Sequence, residues 1–226
     1  MPFAELVTAG AQRALKPLAD PDRAEGAFKY MKGVAPFLGV DTPSRRAAIT
    51  PVFKSLPTPT SDNLGKAALA LMKLKEREYH YAAYDMLAYF NDHCDKDFLA
   101  TYGEELITTK SWWDTVDGLG NAITSPLSKR FPNKRLIQRW NRSDNIWLVR
   151  SAIQHQRGWR RDTDIDYVLS ICADHSFDDE FFISKAIGWA LRDIARLDKK
   201  AVRHFLNAHP ELSKVAVREA DRGLNR

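Results

Sequence analysis

The sequence predicts an all-α protein. Apolar residues recur three and four positions apart along nearly the whole chain, whereas the Val/Ile/Thr alternation typical of strands is absent. Helix start and stop signals divide the chain into about a dozen short helices. A chain of 226 residues with 44% hydrophobic residues can bury a core without disulfide or metal support. We expect residues 1–226 to form a single domain.

Two Xaa-Pro pairs mark clear helix starts, at Asp20-Pro21 and Thr42-Pro43, because proline fits the first turn of a helix. The connections between predicted helices are short, and no low-complexity linker interrupts them. The approximate bounds of the predicted helices are 20–32, 42–56, 63–74, 76–93, 97–109, 133–140, 143–157, 163–175, 178–197, 199–208 and 213–222.

A further helix begins near residue 111 and contains the most distinctive residues of the chain. Ser111 is the predicted N-cap, since a hydroxyl can accept a hydrogen bond from the first turn. Trp113 and Asp117 are four residues apart and share one helix face. Gly118 and Gly120 are expected to weaken this helix after its second turn and to make it flexible.

The chain contains a repeat with a period near 35 residues. Segments 79–83, 148–152 and 183–187 align, and the skipped copy falls on 114–117. Two helices per period is typical of a HEAT-like α-solenoid. The fourth position of each copy holds Ala82, Asp117, Ser151 or Ala186. Only one of these is a carboxylate, and a residue that breaks the pattern of its own repeat is a candidate for function.

Positive charge is concentrated in one part of the chain. The net charge is +5, but residues 110–161 hold eleven Lys and Arg against three Asp, which makes that segment +8. All six tryptophans lie between residues 112 and 189. Basic residues interleaved with flat rings are typical of a nucleic-acid surface. The alternative is a solvated basic face beside a Trp-rich core.

The predicted helices suggest a constellation of functional groups. Trp113 and Asp117 occupy one helix, and Arg150 lies in the next equivalent helix. The following one carries a stripe at helical spacing, formed by Lys185, Trp189, Arg192 and Arg196. If the repeats stack side by side, these groups converge on one concave, basic surface with one carboxylate, two indoles and several cations.

Five segments of the chain resemble the AlkD branch of the AlkC/AlkD alkylpurine DNA glycosylases, and the resemblance covers nearly the whole sequence. The segments are YMK at 30–32, FLGVDTPSRR at 37–46, TKSWWDTVD at 109–117, SDNIWLVR at 143–150 and FFISKAIGWALR at 181–192. Their order and spacing also match. The block TKSWWDxVD combined with SDNIWLxR is far more specific than a three-residue motif.

The resemblance implies a HEAT-like solenoid that cradles duplex DNA and hydrolyses the N-glycosidic bond of cationic purines such as 3-methyladenine and 7-methylguanine. It implies that Asp117 is the catalytic carboxylate, that Trp113 and Trp189 line the pocket, and that Tyr30 lies near the lesion. The implied DNA-backbone contacts are Arg150, Thr42, Lys185 and Arg192. A solenoid that grips DNA along its inner face is expected to act as a monomer.

One position departs from the family pattern. The family often has Gln before the Thr-Pro of its third helix, whereas this chain has Asp41, and a carboxylate there would weaken a contact with the DNA backbone. Asp114, near the start of its helix, is interpreted as structural, because the helix dipole favours an anion there.

Several chemistries find no support in the sequence. The six histidines have no metal-ligand spacing and are interpreted as surface or capped residues, and no glycine-rich phosphate loop exists, so we expect no metal and no cofactor. The tryptophan block contains no lysine to form a Schiff base, so no lyase step is expected. Two distant cysteines and the absence of an 18-residue apolar run fit a cytoplasmic protein with no membrane contact.

Two other functions remain open. A catalytically silent HEAT-like module could bind DNA structure through the same basic face, because a fold can be retained after its active site is lost. A carboxylate facing a phosphate backbone would cost such a module affinity, so Asp117 favours the enzyme. A protein-binding solenoid is the third alternative, and it fits the +8 segment poorly.

Overall fold

The structure is a computed structural model that describes residues 1–225, and it confirms the all-α prediction. Every regular element in that range is helical, and no strand occurs among the described residues. The chain divides into two compact units, the first spanning Met1–Ile123 and the second beginning at Thr124.

The first unit is built around α5 (Arg77–Tyr89), which packs against helices on both sides of it in the sequence. The other helices of this unit are α1 (Phe3–Leu15), α2 (Pro21–Tyr30), α3 (Thr42–Ser55), α4 (Ser61–Met72), α6 (Glu104–Thr108) and α7 (Trp113–Leu119). A π-helical turn, Leu99–Gly103, precedes α6, and another, Gly120–Thr124, follows α7. Helices α1, α3, α4 and α5 enclose a core of fully buried aliphatic side chains.

The predicted starts of α2 and α3 are confirmed. Asp20 caps α2 by accepting the backbone N–H of Arg23, and Asp41 caps α3 by accepting that of Ser44. Helix α1 has no counterpart among the predicted helices. Its N-cap, Pro2, makes no side-chain capping hydrogen bond, so the usual sequence signal for a helix start is missing.

The predicted cap of α7 is wrong by one residue. Ser111 donates its hydroxyl to the carbonyl of Ile107 at the end of α6 and does not cap α7. The N-cap is Trp112, whose backbone is extended and whose N–H is accepted by the hydroxyl of Thr115. A serine placed between two helices can bond to either one, and only the tertiary structure decides which.

The two glycines of α7 have different roles. The α-helix ends at Leu119 and Gly120 begins the π-helical turn, which agrees with a helix weakened after its second turn. The predicted flexibility stays a prediction. Gly118 allows close packing on α5, because a Cβ atom there would lie 2.4 Å from Cδ1 of Tyr84. A Cβ atom at Gly120 would meet nothing within 4 Å.

The second unit is organised around α12 (Phe181–Ala195), which contacts most of its other helices. These are α8 (Ser125–Arg130), α9 (Lys134–Asn141), α10 (Ile146–Ile153), α11 (Ile165–Asp174), α13 (Lys199–Ala208) and α14 (Lys214–Leu224). Helix α8 was not predicted. Helix α10 is shorter than the predicted 143–157, because the chain turns after Ile153 into a loop that includes two positive φ angles, at Gly158 and Arg160.

In three of the four aligned repeat copies, the residue at the fourth position is buried, as the alignment predicts. Ala82, Ser151 and Ala186 are buried in α5, α10 and α12, as small residues at a helix packing surface should be. Asp117 is the half-buried exception. The HEAT-like arrangement of the helix pairs stays a prediction.

Two of the histidines interpreted as surface or capped residues do not lie at the surface. His80 and His155 are 0% and 3% exposed, and burial lowers the pKa of each to about 4, so both rings are neutral near pH 7. Each ring has a backbone carbonyl partner, Leu74 for His80 and Ala152 for His155. They are structural parts of the two units.

We expect Gly118→Ala to destabilise the protein by about 1–3 kcal/mol, because the new methyl group would force α7 away from the ring of Tyr84. Gly120→Ala is the matched control, since it adds the same methyl group in open space and in helical backbone. It should stabilise the protein by about 0.5–1 kcal/mol. Urea unfolding of both variants measures the difference. Equal effects would show that Gly118 has no packing role.

Candidate functional site

Helix α7 presents Trp113 and Asp117 on one face, as their spacing predicts. Both side chains are half-buried, so each keeps some access to solvent. A half-buried carboxylate beside an indole ring is placed to meet a cationic ligand from outside the helix.

The first turn of α7 is fixed by a buried ion pair. Arg77, the first residue of α5, is 1% exposed and binds both carboxylate oxygens of Asp114, at 2.6 and 2.9 Å. Its remaining donors reach the carbonyl of Lys110 at 2.7 Å and the hydroxyl of Thr115 at 3.1 Å. Tyr81 donates its hydroxyl to the same carboxylate at 2.5 Å. The structural role assigned to Asp114 agrees with these contacts.

The next residue of α5 fixes the loop between α2 and α3. Glu78 is 1% exposed, and its carboxylate accepts the backbone N–H groups of Leu38, Gly39 and Val40 at 2.8–3.0 Å. Gly39 has φ +87°, and a Cβ atom there would lie 2.0 Å from the carbonyl oxygen of Asp20. Consecutive residues of α5 therefore hold this loop and α7.

Helices α3 and α7 meet the same pair of tyrosines. The guanidinium of Arg45 lies 4.9 Å from the ring centroid of Tyr81 and 5.8 Å from that of Tyr84. Tyr81 also contacts Asp114, and Tyr84 packs on Gly118 of α7. Helix α3, which begins at Thr42, is thereby tied to the helix that carries Asp117.

The other predicted site residues of this unit are exposed. Tyr30 is the last residue of α2 and is 72% exposed, and Thr42 is the exposed first residue of α3. Both flank the loop that Glu78 holds. Their solvent access leaves them able to contact a ligand.

Asp41, the departure from the family pattern, has a structural task. It caps α3 and forms an ion pair with Arg23 at 2.6 Å. The backbone N–H of Ser44 and the Arg23 guanidinium hold the pKa of this carboxyl below its usual value. Because Arg23 offsets its charge, Asp41 repels a neighbouring anion less than an isolated carboxylate would.

In the second unit, the ring of Trp189 on α12 is surrounded by cations. The guanidinium carbons of Arg150 and Arg157 lie 4.9 and 4.8 Å from its centroid, and the ammonium of Lys185 lies 5.8 Å away. The structure thus brings together three of the predicted residues, Arg150, Lys185 and Trp189. It adds Arg157, which the sequence analysis did not single out.

Arg150 is buried, being 1% exposed, and it donates to the carbonyl of Phe182 at 2.5 Å. Burial of a charged guanidinium requires partners, and a carbonyl and an aromatic ring supply them. A direct phosphate contact by Arg150 stays a prediction. Its observed contacts join α10 to the start of α12.

A buried carboxylate organises the remaining cations of α12. Glu219 of α14 is 2% exposed and accepts from Lys185 at 2.7 Å, Arg192 at 3.0 Å and Arg222 at 2.7 Å. Burial opposes ionisation, but the bonds and charges of Lys185 and Arg222 outweigh it and hold the pKa of Glu219 below its usual value. Lys185 and Arg192 therefore share their charge with a partner.

Sequence reasoning missed Glu219 because a single glutamate in an amphipathic helix normally faces solvent. The one available signal was its position between Ala216 and Ala220, on the small-residue face of α14. Arg157 was missed because it was assigned to the end of a helix, whereas it belongs to the loop after α10.

Two classes of site are not found in the described residues. No group of three or more His, Cys, Asp or Glu residues within 1–225 could hold a metal ion. Within the same range, no helix is long and apolar enough to cross a membrane. The two cysteines are buried, and burial raises the pKa of Cys172 to about 12.

The described residues 1–225 define an all-helical protein. Residues 11–224 match the family described as "DNA alkylation repair enzyme", so the chain belongs to that family. It is also similar to a solved structure described as a predicted DNA alkylation repair enzyme from Enterococcus faecalis, with a TM-score of 0.80 and 24% identity. That match covers 90% of this chain and 95% of the other. The comparison with curated proteins finds no match.

We expect Arg77→Met to destabilise the protein by about 3–5 kcal/mol, because it leaves the carboxylate of Asp114 buried without its charge partner. The matched control is Lys66→Met, which breaks an exposed pair with Asp62 and should change stability by less than about 1 kcal/mol. Denaturant unfolding compares the two. Similar small losses in both variants would contradict the anchoring role of Arg77.

Glu219→Gln should remove a pH-dependent part of the stability. The folded pKa of Glu219 lies below the unfolded value of about 4.5, so its stabilisation is present above that pH and is lost as the pH falls through the folded pKa. The variant should be less stable at pH 7 and should lose less stability on acidification. Asp221→Asn, on the exposed side of α14, is the control. Thermal unfolding from pH 7 to pH 3 measures both effects, and parallel curves for wild type and Glu219→Gln would refute the assignment.

Proposed function

We propose that this protein is a DNA glycosylase of the AlkD type that hydrolyses the N-glycosidic bond of cationic alkylated purines in double-stranded DNA. The supporting observation is the half-buried carboxylate of Asp117 beside Trp113 on α7, in a chain that belongs to the DNA alkylation repair enzyme family. The proposed substrates include 3-methyladenine and 7-methylguanine.

A single carboxylate is enough for this reaction. Alkylation at N3 or N7 makes the purine positively charged and already a good leaving group, so no general acid need protonate it. Sugar hydrolases need two carboxylates because their leaving groups require protonation. As the bond breaks, positive charge develops on the deoxyribose. Asp117 stabilises that charge and orients the attacking water in the proposed mechanism.

The aromatic rings have separate tasks in this proposal. Trp113 presents a ring face next to Asp117 that can hold a cationic sugar or base, worth about 0.5–2 kcal/mol. Trp189 lines the pocket with its accessible part. The guanidinium groups of Arg150 and Arg157 lie against this ring and make its surroundings positive. Positive surroundings attract the anionic DNA backbone and disfavour a free cation. Tyr30 and Thr42 are proposed to meet the DNA near the lesion.

The proposed DNA affinity comes from cations presented by α12. Lys185 and Arg192 lie on the accessible side of Glu219, with about a quarter of each side chain exposed. Their contribution should fall with salt, as phosphate contacts do. We propose that the protein acts as a monomer in the cytoplasm, without cofactor, metal or lyase step, and that residues 1–226 work as one HEAT-like repeat domain.

We expect Asp117→Asn to lower the release of 7-methylguanine and 3-methyladenine from methylated duplex DNA by about 100-fold or more, because a neutral amide cannot stabilise the cationic sugar. DNA binding, measured by fluorescence anisotropy, should persist in this variant. Asp144→Asn removes an exposed carboxylate of the same basic segment and should keep full activity. If wild type binds DNA but releases no base, the silent binding module becomes the better account.

A further inference from the structure

The turn that follows α7 is held by the side chain of Asn91. This residue lies in a short 3₁₀ turn just beyond the end of α5, and its side chain is half-buried. Its amide donates to the backbone carbonyl of Ala122 at 2.7 Å. Ala122 is 4% exposed and belongs to the π-helical turn that continues α7. A side chain from the end of one helix therefore bonds to the backbone at the end of another.

The sequence explains why this carbonyl needs a side-chain donor. In an α-helix the carbonyl of residue 122 would accept the N–H of residue 126, four positions later. That residue is Pro126, which has no N–H, and a proline ring also crowds the carbonyl four residues before it. Buried carbonyls without a donor are rare in folded proteins. The amide of Asn91 supplies the missing hydrogen bond.

The bond from Asn91 completes a series of contacts between α5 and α7. Three residues spaced seven apart make these contacts from the α5 side, namely Arg77, Tyr84 and Asn91. Their partners are spaced four apart, namely Asp114, Gly118 and Ala122. Seven residues are about two helical turns and four are about one, so each set recurs on one side of its helix. Asp117 lies between the first partner and the last.

The helix that carries Asp117 is therefore held at both ends. Arg77 fixes its first turn, and Asn91 fixes the turn that follows its last residue. Between these two anchors lie Gly118 and Gly120, and glycine keeps a helix rigid less well than any other residue except proline. Without the bond from Asn91, the end of α7 would be free to shift, and a shift there would move the carboxylate of Asp117.

We propose that Asn91 is a positioning residue for base release, because it fixes the end of α7 and so keeps the carboxylate of Asp117 aligned with the deoxyribose. Asn91 acts through the backbone of Ala122 and not on the substrate. A catalytic group has to be held to within about 0.5 Å of its working position, so a loose helix end lowers the rate. The catalytic part of this inference rests on the proposed function, whereas the anchoring of α7 does not.

The test variant is Asn91→Leu, which keeps nearly the same side-chain shape and has no hydrogen-bond donor. The matched control is Asn141→Leu, because Asn141 lies in the second unit and donates its amide to Asp174 at 2.6 Å. Both variants lose an asparagine amide that is bonded within the protein, so both should lower the Tm. Asn91→Leu alone removes a bond to the turn that follows α7.

Single-turnover release of 7-methylguanine from methylated duplex DNA, at increasing protein concentration, separates alignment from folding. Asn91→Leu should lower the rate constant at saturating protein by about 10-fold or more, since a small misplacement of a catalytic group is costly. The half-saturating concentration should stay nearly unchanged. Asn141→Leu should keep the wild-type rate constant, because a smaller folded fraction only raises the protein concentration needed for saturation.

A second variant gives the carbonyl of Ala122 another donor. Pro126→Ala restores an N–H at residue 126, which can bond to Ala122 within the helix. In this background, Asn91→Leu should lower the rate constant much less than it does alone. If Asn91 contacted the DNA directly, the substitution would cost the same rate in both backgrounds, and the positioning role would be wrong. The double variant also serves as the test if Asn91→Leu alone does not fold.

Hydrogen exchange measures the anchoring without any base release. The backbone amides of residues 113–124 should exchange faster in Asn91→Leu than in wild type, whereas Asn141→Leu should leave them unchanged. Faster exchange together with a slower rate constant supports the proposal. Unchanged exchange in Asn91→Leu overturns it, and so does faster exchange with an unchanged rate constant.

The two measurements also distinguish this inference from the proposed function. If wild type releases no base, the proposed function fails and the catalytic role of Asn91 fails with it. Hydrogen exchange then still decides whether Asn91 anchors α7. If wild type releases base and Asn91→Leu matches it in both measurements, the proposed function stands and the inference about Asn91 is wrong.

Discussion

The first unit depends on one buried guanidinium. Arg77 lies at the start of α5, and its donors are taken up by Asp114, the carbonyl of Lys110 and the hydroxyl of Thr115. A charge this deeply buried is tolerated only when each partner is in place, so the start of α7 has little freedom to move. Asp117 is one turn further along the same helix. The position of the candidate catalytic carboxylate is therefore set by a contact in which it takes no part.

The second unit uses the reverse arrangement, with one buried carboxylate among several cations. Glu219 draws Lys185, Arg192 and Arg222 to one place, where without it they would repel one another. Close approach of α12 and α14 makes this possible, because a Cβ atom at Gly188 would lie only 2.6 Å from that of Glu219. The ion pairs with Glu219 stabilise the fold and offset part of the positive charge on α12. The net positive charge that remains on this helix can attract an anion.

The charge count of the sequence overstates the charge that reaches solvent. Arg150 belongs to the +8 segment, yet it is buried against Trp189 and the carbonyl of Phe182. Arg157 and Arg160, from the same segment, border a cavity instead. Basic residues in this chain therefore serve as core partners, ring-stacked groups and cavity walls. Composition alone cannot separate these roles, because burial depends on neighbours from other helices.

The sequence by itself determined the helical class, most helix positions and the shared face of Trp113 and Asp117, since these follow from local spacing and capping. It did not determine the true cap of α7, the burial of His80 or the partners of Glu219. Lys185 and Arg192 reach Glu219 from 34 and 27 positions away along the chain. Ser111 and His80 bond to carbonyls only four and six positions away, but local spacing does not say which nearby partner is used. The local sequence pattern determines where a helix forms. The packing of helices against one another decides which buried polar groups have a hydrogen-bond partner.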